Sequence, residues 1–159
     1  MNAETSFATD LQIVVFSIAG QSFGIDIASV FEIIRLEKIT PIPQAPEYVE
    51  GVINIRGQVV PALNLHVLFG TGIGEKTGNS RMIVVETAHN KFGLIVDAVY
   101  EVQKVSPDMI KPAPAAIAYS QQYIQGIILE GDNLVILVDL NKLLPERDLL
   151  ELKEMEKLA

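Results

Sequence analysis

Four groups of residues in this chain are of types that carry chemistry. The first is Gly70-Thr71-Gly72-Ile73-Gly74-Glu75-Lys76-Thr77, one residue short of the glycine-rich loop that cradles nucleotide phosphates. Such a loop holds the anion on backbone N–H groups and a lysine, and leads into the N-terminus of a helix. Glu75 stands where the second required glycine belongs, which sets a carboxylate against the phosphates, and no helix-forming segment follows. The segment reads instead as an exposed, flexible connection. The second group is His66 and His89, the only histidines, with no acidic cluster near either in sequence. A metal site or a histidine base lacks its companions here, and both read as solvated or structural imidazoles. The third is Glu32 and Glu101, which occupy matched positions of a repeat. Carboxylates held together can divide acid and base roles, but on alternating strands these read as solvent-facing residues. The fourth is Arg56, beside Gly57 and between two apolar runs. It is a planar, permanently charged donor at a tight turn, suited to a carboxylate or a main-chain carbonyl of a partner. Taken by itself it reads sooner as a solvated turn arginine.

Cysteine is absent, which excludes disulfides, thiolate metal sites and a cysteine nucleophile. Serines lie beside glycines or in loops without a histidine pattern. The chain therefore reads as a non-enzyme without a cofactor, expected to bind neither nucleotide nor divalent metal.

The elements that position these residues occur twice. Phe23-Gly24-Ile25, Val30 and Glu32 return 69 positions on as Phe92-Gly93-Leu94, Val99 and Glu101. Tyr48-Val49-Glu50-Gly51-Val52-Ile53 returns 75 positions on as Tyr123-Ile124-Gln125-Gly126-Ile127-Ile128. That second offset also maps Val60, Leu63, Asn64, Leu65 and Leu68 onto Val135, Val138, Asp139, Leu140 and Leu143. The change of offset places about six extra residues inside the second copy. At 159 residues, two small β-barrels sharing a seam are expected, because units of this size bury little surface alone.

The coarse course of the chain follows from alternation and turn residues. Strands are expected over 11–18, 22–27, 30–36, 49–55 and 58–65, then 82–86, 92–97, 99–105, 123–129 and 134–140. A short helical turn is expected at 65–69, Pro-rich connections precede each hairpin, and 70–80 joins the copies. Glu146 to Leu158 has helical spacing of Leu149, Leu150, Leu152, Met155 and Leu158. The expected division is one unit over 11–144, made of halves 11–79 and 80–144, followed by a C-terminal helix over 145–159.

Hydrophobic residues make up 49% of the chain, but none of their runs reaches the length of a membrane span. The N-terminus lacks the pattern of a secretory signal, so cytoplasm is expected. A net charge of −8 disfavours nucleic acid and direct contact with anionic lipid.

Aligning the two hairpins separates architecture from the rest. Apolar alternation and the turn glycine persist; Asn54, Arg56 and Pro61 do not, since Leu129, Gly131 and Ile136 replace them. A residue carried by one copy alone is not required by the shared fold.

Val49 to Pro61 resembles the signature hairpin of the CheW family, the coupling proteins of bacterial chemotaxis. Phe23 to Ile27, Glu32 to Ile34 and Ile39 to Pro43 are similar to its preceding segments. Phe92 to Asp97 and Leu134 to Leu144 are similar to its second half, so the likeness spans about 11–144. The resemblance implies an all-β fold of two five-stranded SH3-like barrels with no catalysis and no cofactor. It implies a scaffold joining the cytoplasmic tips of methyl-accepting chemoreceptors to the regulatory domain of the histidine kinase CheA. It implies recruitment to receptor arrays at the inner face of the membrane. Positions matching its receptor-facing residues are Val30, Glu32, Arg56 and Gly57, with Gly51, Gly93 and Val102 in sensitive stretches. The three glycines read equally as turn or packing positions.

CheW-like modules also occur within the kinase, fused to receiver domains, and in pathways serving pili or other outputs. The flanks here are too short for such partners, so a stand-alone coupler is expected. An SH3-like barrel associated with nucleic acid and an unrecognised enzyme are the rival classes; the acidic balance opposes the first and the missing catalytic set the second.

Overall fold

The computed structural model describes residues 9–88 and 90–144. His89 and the expected C-terminal helix lie outside them. The described residues form eleven strands: β1 Leu11–Ile18, β2 Gln21–Asp26, β3 Val30–Arg35, β4 Val49–Ile55, β5 Gln58–Asn64, β6 Arg81–Glu86, β7 Lys91–Val96, β8 Ala98–Val105, β9 Ile110–Lys111, β10 Ile124–Glu130 and β11 Asn133–Val138. Helix α1, Leu65–Leu68, is the expected helical turn, and Asn64 caps it by accepting from His66 N at 2.9 Å. Helix α2, Ala115–Ser120, was not foreseen. It lies in the long connection of the second copy, where the six extra residues fall.

The strands form a five-stranded sheet, β3-β6-β7-β5-β4, and a six-stranded one, β8-β1-β2-β11-β10-β9. Substituting each strand by its repeat equivalent turns the first five-strand order into the second. The hairpin register agrees to the residue: Gly51 pairs with Ala62 and Ile53 with Val60, as Gly126 pairs with Leu137 and Ile128 with Val135. Even the bulge recurs, between Val49 and Gly51 and between Ile124 and Gly126.

The sheets do not divide where the copies divide. Each copy sends its first hairpin into the other's sheet: β1–β2 joins β8 and β11, and β6–β7 joins β3 and β5. The 79/80 boundary therefore separates repeats, not sheets. This exchange explains why β1 is buried on both faces from Ile13 to Ile18, against the alternation of a half-buried strand. Ile13 and Val15 face a cluster with Val105, Ile110, Ile128, Val135 and Leu137 inside the six-stranded sheet. Val14, Phe16 and Ile18 face the seam, with Phe23, Leu63, Ile83, Phe92, Leu94 and Leu140 among their neighbours. Ile53, Ile55, Val60, Ala62, Met82, Val84 and Ile95 fill the five-stranded sheet. Burial of about 25 cal/mol per Å² of apolar surface makes the shared seam a main source of stability.

Each sheet curls until its far strands meet through side chains. Arg56, at the β4–β5 turn, reaches Glu32 on the opposite edge strand β3. Gln103 on edge strand β8 donates to Glu130 at the end of β10.

Candidate functional site

Glu32 and Arg56, 24 positions apart in sequence, meet with Arg56 Nη2 3.1 Å from Glu32 Oε2. The arginine side chain is 76% exposed and that of the glutamate 21%. Glu32 Oε1 is buried and has no hydrogen-bond partner among the described residues. Such an acceptor costs about 1–3 kcal/mol and gains from any movement that brings it a donor.

The turn that carries Arg56 has φ of 52° at Arg56 and 87° at Gly57, the signature of a two-residue hairpin turn of the primed kind. Asn54 Oδ1 accepts from Gly57 N at 2.7 Å and fixes it. The left-handed region costs a non-glycine residue roughly 1–2 kcal/mol. The second copy places Gly131, φ 62°, at the equivalent position. The first copy thus holds an arginine where glycine is the easier residue.

Val30 lies beside this pair and packs against the seam, paired with Val85. Phe31, between Val30 and Glu32, is the extra residue of a bulge and is 48% exposed. Gly57 faces open space at the turn. The other two glycines are packing positions. A Cβ on Gly51 would lie 2.1 Å from Thr40 O, at φ 154°, and one on Gly93 would lie 2.5 Å from Met82 Sδ. Val102 is set apart from the others: it lies on β8 in the six-stranded sheet, exposed and paired with Val14.

The connection 70–80 is exposed, as expected, yet it is tied down rather than loose. Asn64 Nδ2 donates to Ile73 O at 2.8 Å and to Glu50 Oε1 at 2.9 Å, and Lys76 Nζ pairs with Glu50 Oε2 at 2.6 Å. His66 is the structural imidazole of the two readings. It is buried, 2.7 Å from Asp97 Oδ1 and 2.9 Å from Thr71 Oγ1, with its ring against Gly74. Asp97 Oδ2 accepts from Ala19 N at 2.8 Å, which joins the connection to the β1–β2 turn. The repeat contained this signal: Asp139, equivalent to Asn64, caps its own turn but has no side-chain N–H to give. Among the described residues no group of His, Asp and Glu is arranged to hold a metal ion.

The family model of the CheW-like domain matches residues 12–148. The chain belongs to the CheW-like family. It is 33% identical to Chemotaxis protein CheW of Treponema pallidum, over 93% of this chain and 86% of that protein. Its structure is similar to that of the scaffolding protein TtCheW from Thermoanaerobacter tengcongensis, with a TM-score of 0.77 and 40% identity over 82% of this chain and 89% of that one. Protein FrzA of Myxococcus xanthus is a more distant relative, 25% identical over 81% of this chain and 82% of its own length. As a CheW-like protein the chain is a non-catalytic scaffold of chemotaxis signalling. Among the described residues no helix is long and apolar enough to cross a membrane.

Proposed function

We propose that this CheW-like protein couples the cytoplasmic tips of methyl-accepting chemoreceptors to the regulatory domain of the kinase CheA. It works in the cytoplasm, at arrays on the inner face of the membrane, with residues 11–144 as one working unit. Val30, Glu32, Arg56 and Gly57 form the receptor-facing site, Gly51 and Gly93 support it by packing, and Val102 belongs to a separate surface on the other sheet. The observation that carries this reading is the strained, exposed arginine paired to a carboxylate whose second oxygen lacks a donor. Strain retained at a turn where the repeat uses glycine marks a side chain kept for what it touches. The experiment is a pull-down on immobilised protein with a receptor cytoplasmic fragment and a kinase regulatory domain. Retention of both together is expected; retention of neither, or mutual exclusion, would refute the coupling role. The likeness to FrzA, a family member not named for chemotaxis, favours one second reading: the same adaptor in a non-flagellar chemosensory pathway.

A further inference from the structure

Arg56 is not the only cation that one copy carries alone. Lys91 opens β7 directly opposite Glu86, yet among the described residues it makes no ion pair. Its Nζ lies 3.4 Å from the centroid of the Phe31 ring and donates to Gln58 Oε1 at 3.1 Å. Phe31 is the bulge residue beside Glu32, and Gln58 follows Gly57 directly. Lys91 therefore ties the bulge to the hairpin next to the Arg56–Glu32 tie. In the second copy the bulge aromatic and the acid persist as Tyr100 and Glu101, and the bulge itself recurs at Tyr100. In the six-stranded sheet both cations are gone: Gly131 stands at the position of Arg56 and Ser22 at that of Lys91. The aromatic and the acid belong to the shared frame, and the two cations, one from each copy, meet in the five-stranded sheet alone.

We propose that Lys91 is a specificity-determining residue of the receptor-facing site, acting with Arg56 as a pair of cations that take an acidic residue of the partner, with Phe31 as an apolar floor. The inference rests on the receptor reading above. An aromatic face and an amide oxygen position an ammonium without cancelling its charge, so Lys91 stays available to a carboxylate. On a chain of net charge −8, an acidic segment is repelled over most of the surface and accepted where two cations contact adjacent residues of one bulge, Arg56 on Glu32 and Lys91 on Phe31. Tyr100, 62% exposed, has no lysine at the position equivalent to Lys91, so the other sheet lacks this preference.

The test uses two variants of one residue. Lys91→Met keeps a stem over Phe31 and removes the charge; Lys91→Arg keeps the charge. Each is titrated, beside wild type and Arg56→Gly, with the cytoplasmic hairpin fragment of a methyl-accepting receptor from the source organism, at low and high salt. Lys91→Met is expected to melt as wild type, to lose about fivefold in affinity at low salt and to show a shallower salt dependence. Lys91→Arg is expected to restore both. If Arg56→Gly weakens binding while Lys91→Met binds as wild type, Lys91 only shields Phe31 and this inference falls alone. A lowered melting temperature in both Lys91 variants would make the residue structural and overturn it as well. If the wild-type protein does not bind the fragment, the receptor reading fails and this inference fails with it.

Discussion

The β4–β5 and β10–β11 hairpins share turn length, bulge and register, and they present opposite surfaces. At the first tip stand Asn54, Arg56 and Gln58, with a charged tie to Glu32 and a second tie through Lys91 to Phe31. At the second, Leu129 and Leu134 face each other across the strands and are about half exposed, and a neutral donor, Gln103, makes the tie to Glu130. One frame has been surfaced twice, with two cations on one side and an exposed leucine pair beside an acidic turn on the other. The proposed coupling role would use this difference, because two partners can be held by surfaces whose chemistry does not cross-react.

The comparison depends on the exchanged hairpins, and cutting the chain is the strongest way to break it. Residues 1–79 and 80–159, produced separately, are each expected to lack a cooperative melt by circular dichroism, since the first half lacks β6 and β7 of one sheet and β8 to β11 of the other, and the second half lacks the remaining strands of both. Mixing is expected to restore the melt. Independent folding of either half would show that the exchange is dispensable.

A single methyl group tests whether the copies bear equal strain. Gly51→Ala combines a left-handed φ with a contact of 2.1 Å to backbone and is expected to cost roughly 3 kcal/mol. Gly126→Ala has no such φ and first meets the Ile110 side chain at 2.8 Å; roughly 1 kcal/mol is expected. Urea titrations of the two variants decide it, and equal losses would contradict the asymmetry.

Arg56→Gly gives the first turn the glycine that the second carries at the equivalent position, Gly131. Relief of strain offsets a surface ion pair worth about 0.2–1 kcal/mol, so melting should stay within about 3 °C of wild type. Arg56→Ala should also leave the fold intact. Receptor affinity should fall by about one to two decades in either variant, with kinase affinity changing much less. A drop of many degrees would make Arg56 structural; unchanged affinities would make it a solvated turn residue.

The smallest effect concerns the seam. The Tyr123 ring stacks on Phe69 with centroids 4.7 Å apart, and burial pushes its phenol above the usual range. A tyrosine whose folded value is raised contributes stability that is fully present below its unfolded value, about 10, and is lost as pH rises through the folded one. Tyr123→Phe should therefore flatten the fall of melting temperature above about pH 10. An unchanged slope would place the alkaline loss elsewhere.

The hairpin register and the equivalence of strands were legible because one constant offset spans Tyr48 to Leu68. The exchange was not legible, because an offset names equivalent strands without naming their neighbours. β5 beside β7 and β5 beside β2 satisfy the repeat equally. The unbroken apolar run of β1 held the clue, since a strand covered on both faces needs two cores. Arg56 was found by asking which residue one copy carries alone. The same question reaches Lys91 only once its neighbour is known, because Ser22 and Lys91 are unremarkable at the start of a strand. The ties of the 70–80 connection depend on Asn64, Glu50 and Asp97 converging in space, which no local spacing shows.

The exchanged hairpins also set an order on synthesis. The five-stranded sheet has all its strands once the ribosome has released the chain through Val96. The β1–β2 hairpin emerges first and waits longest: Gln21 reaches its hydrogen-bond acceptor on Leu134 113 positions later. β8 can pair with β1 once Val105 is out, but until β10 and β11 follow, Ile13 and Val15 lack their cover of Ile128, Val135 and Leu137, and sequence-distant pairing of this kind is slow and open to aggregation. In the living cell the hazard of this fold therefore falls on its first strand, and it ends only when the last hairpin has been translated.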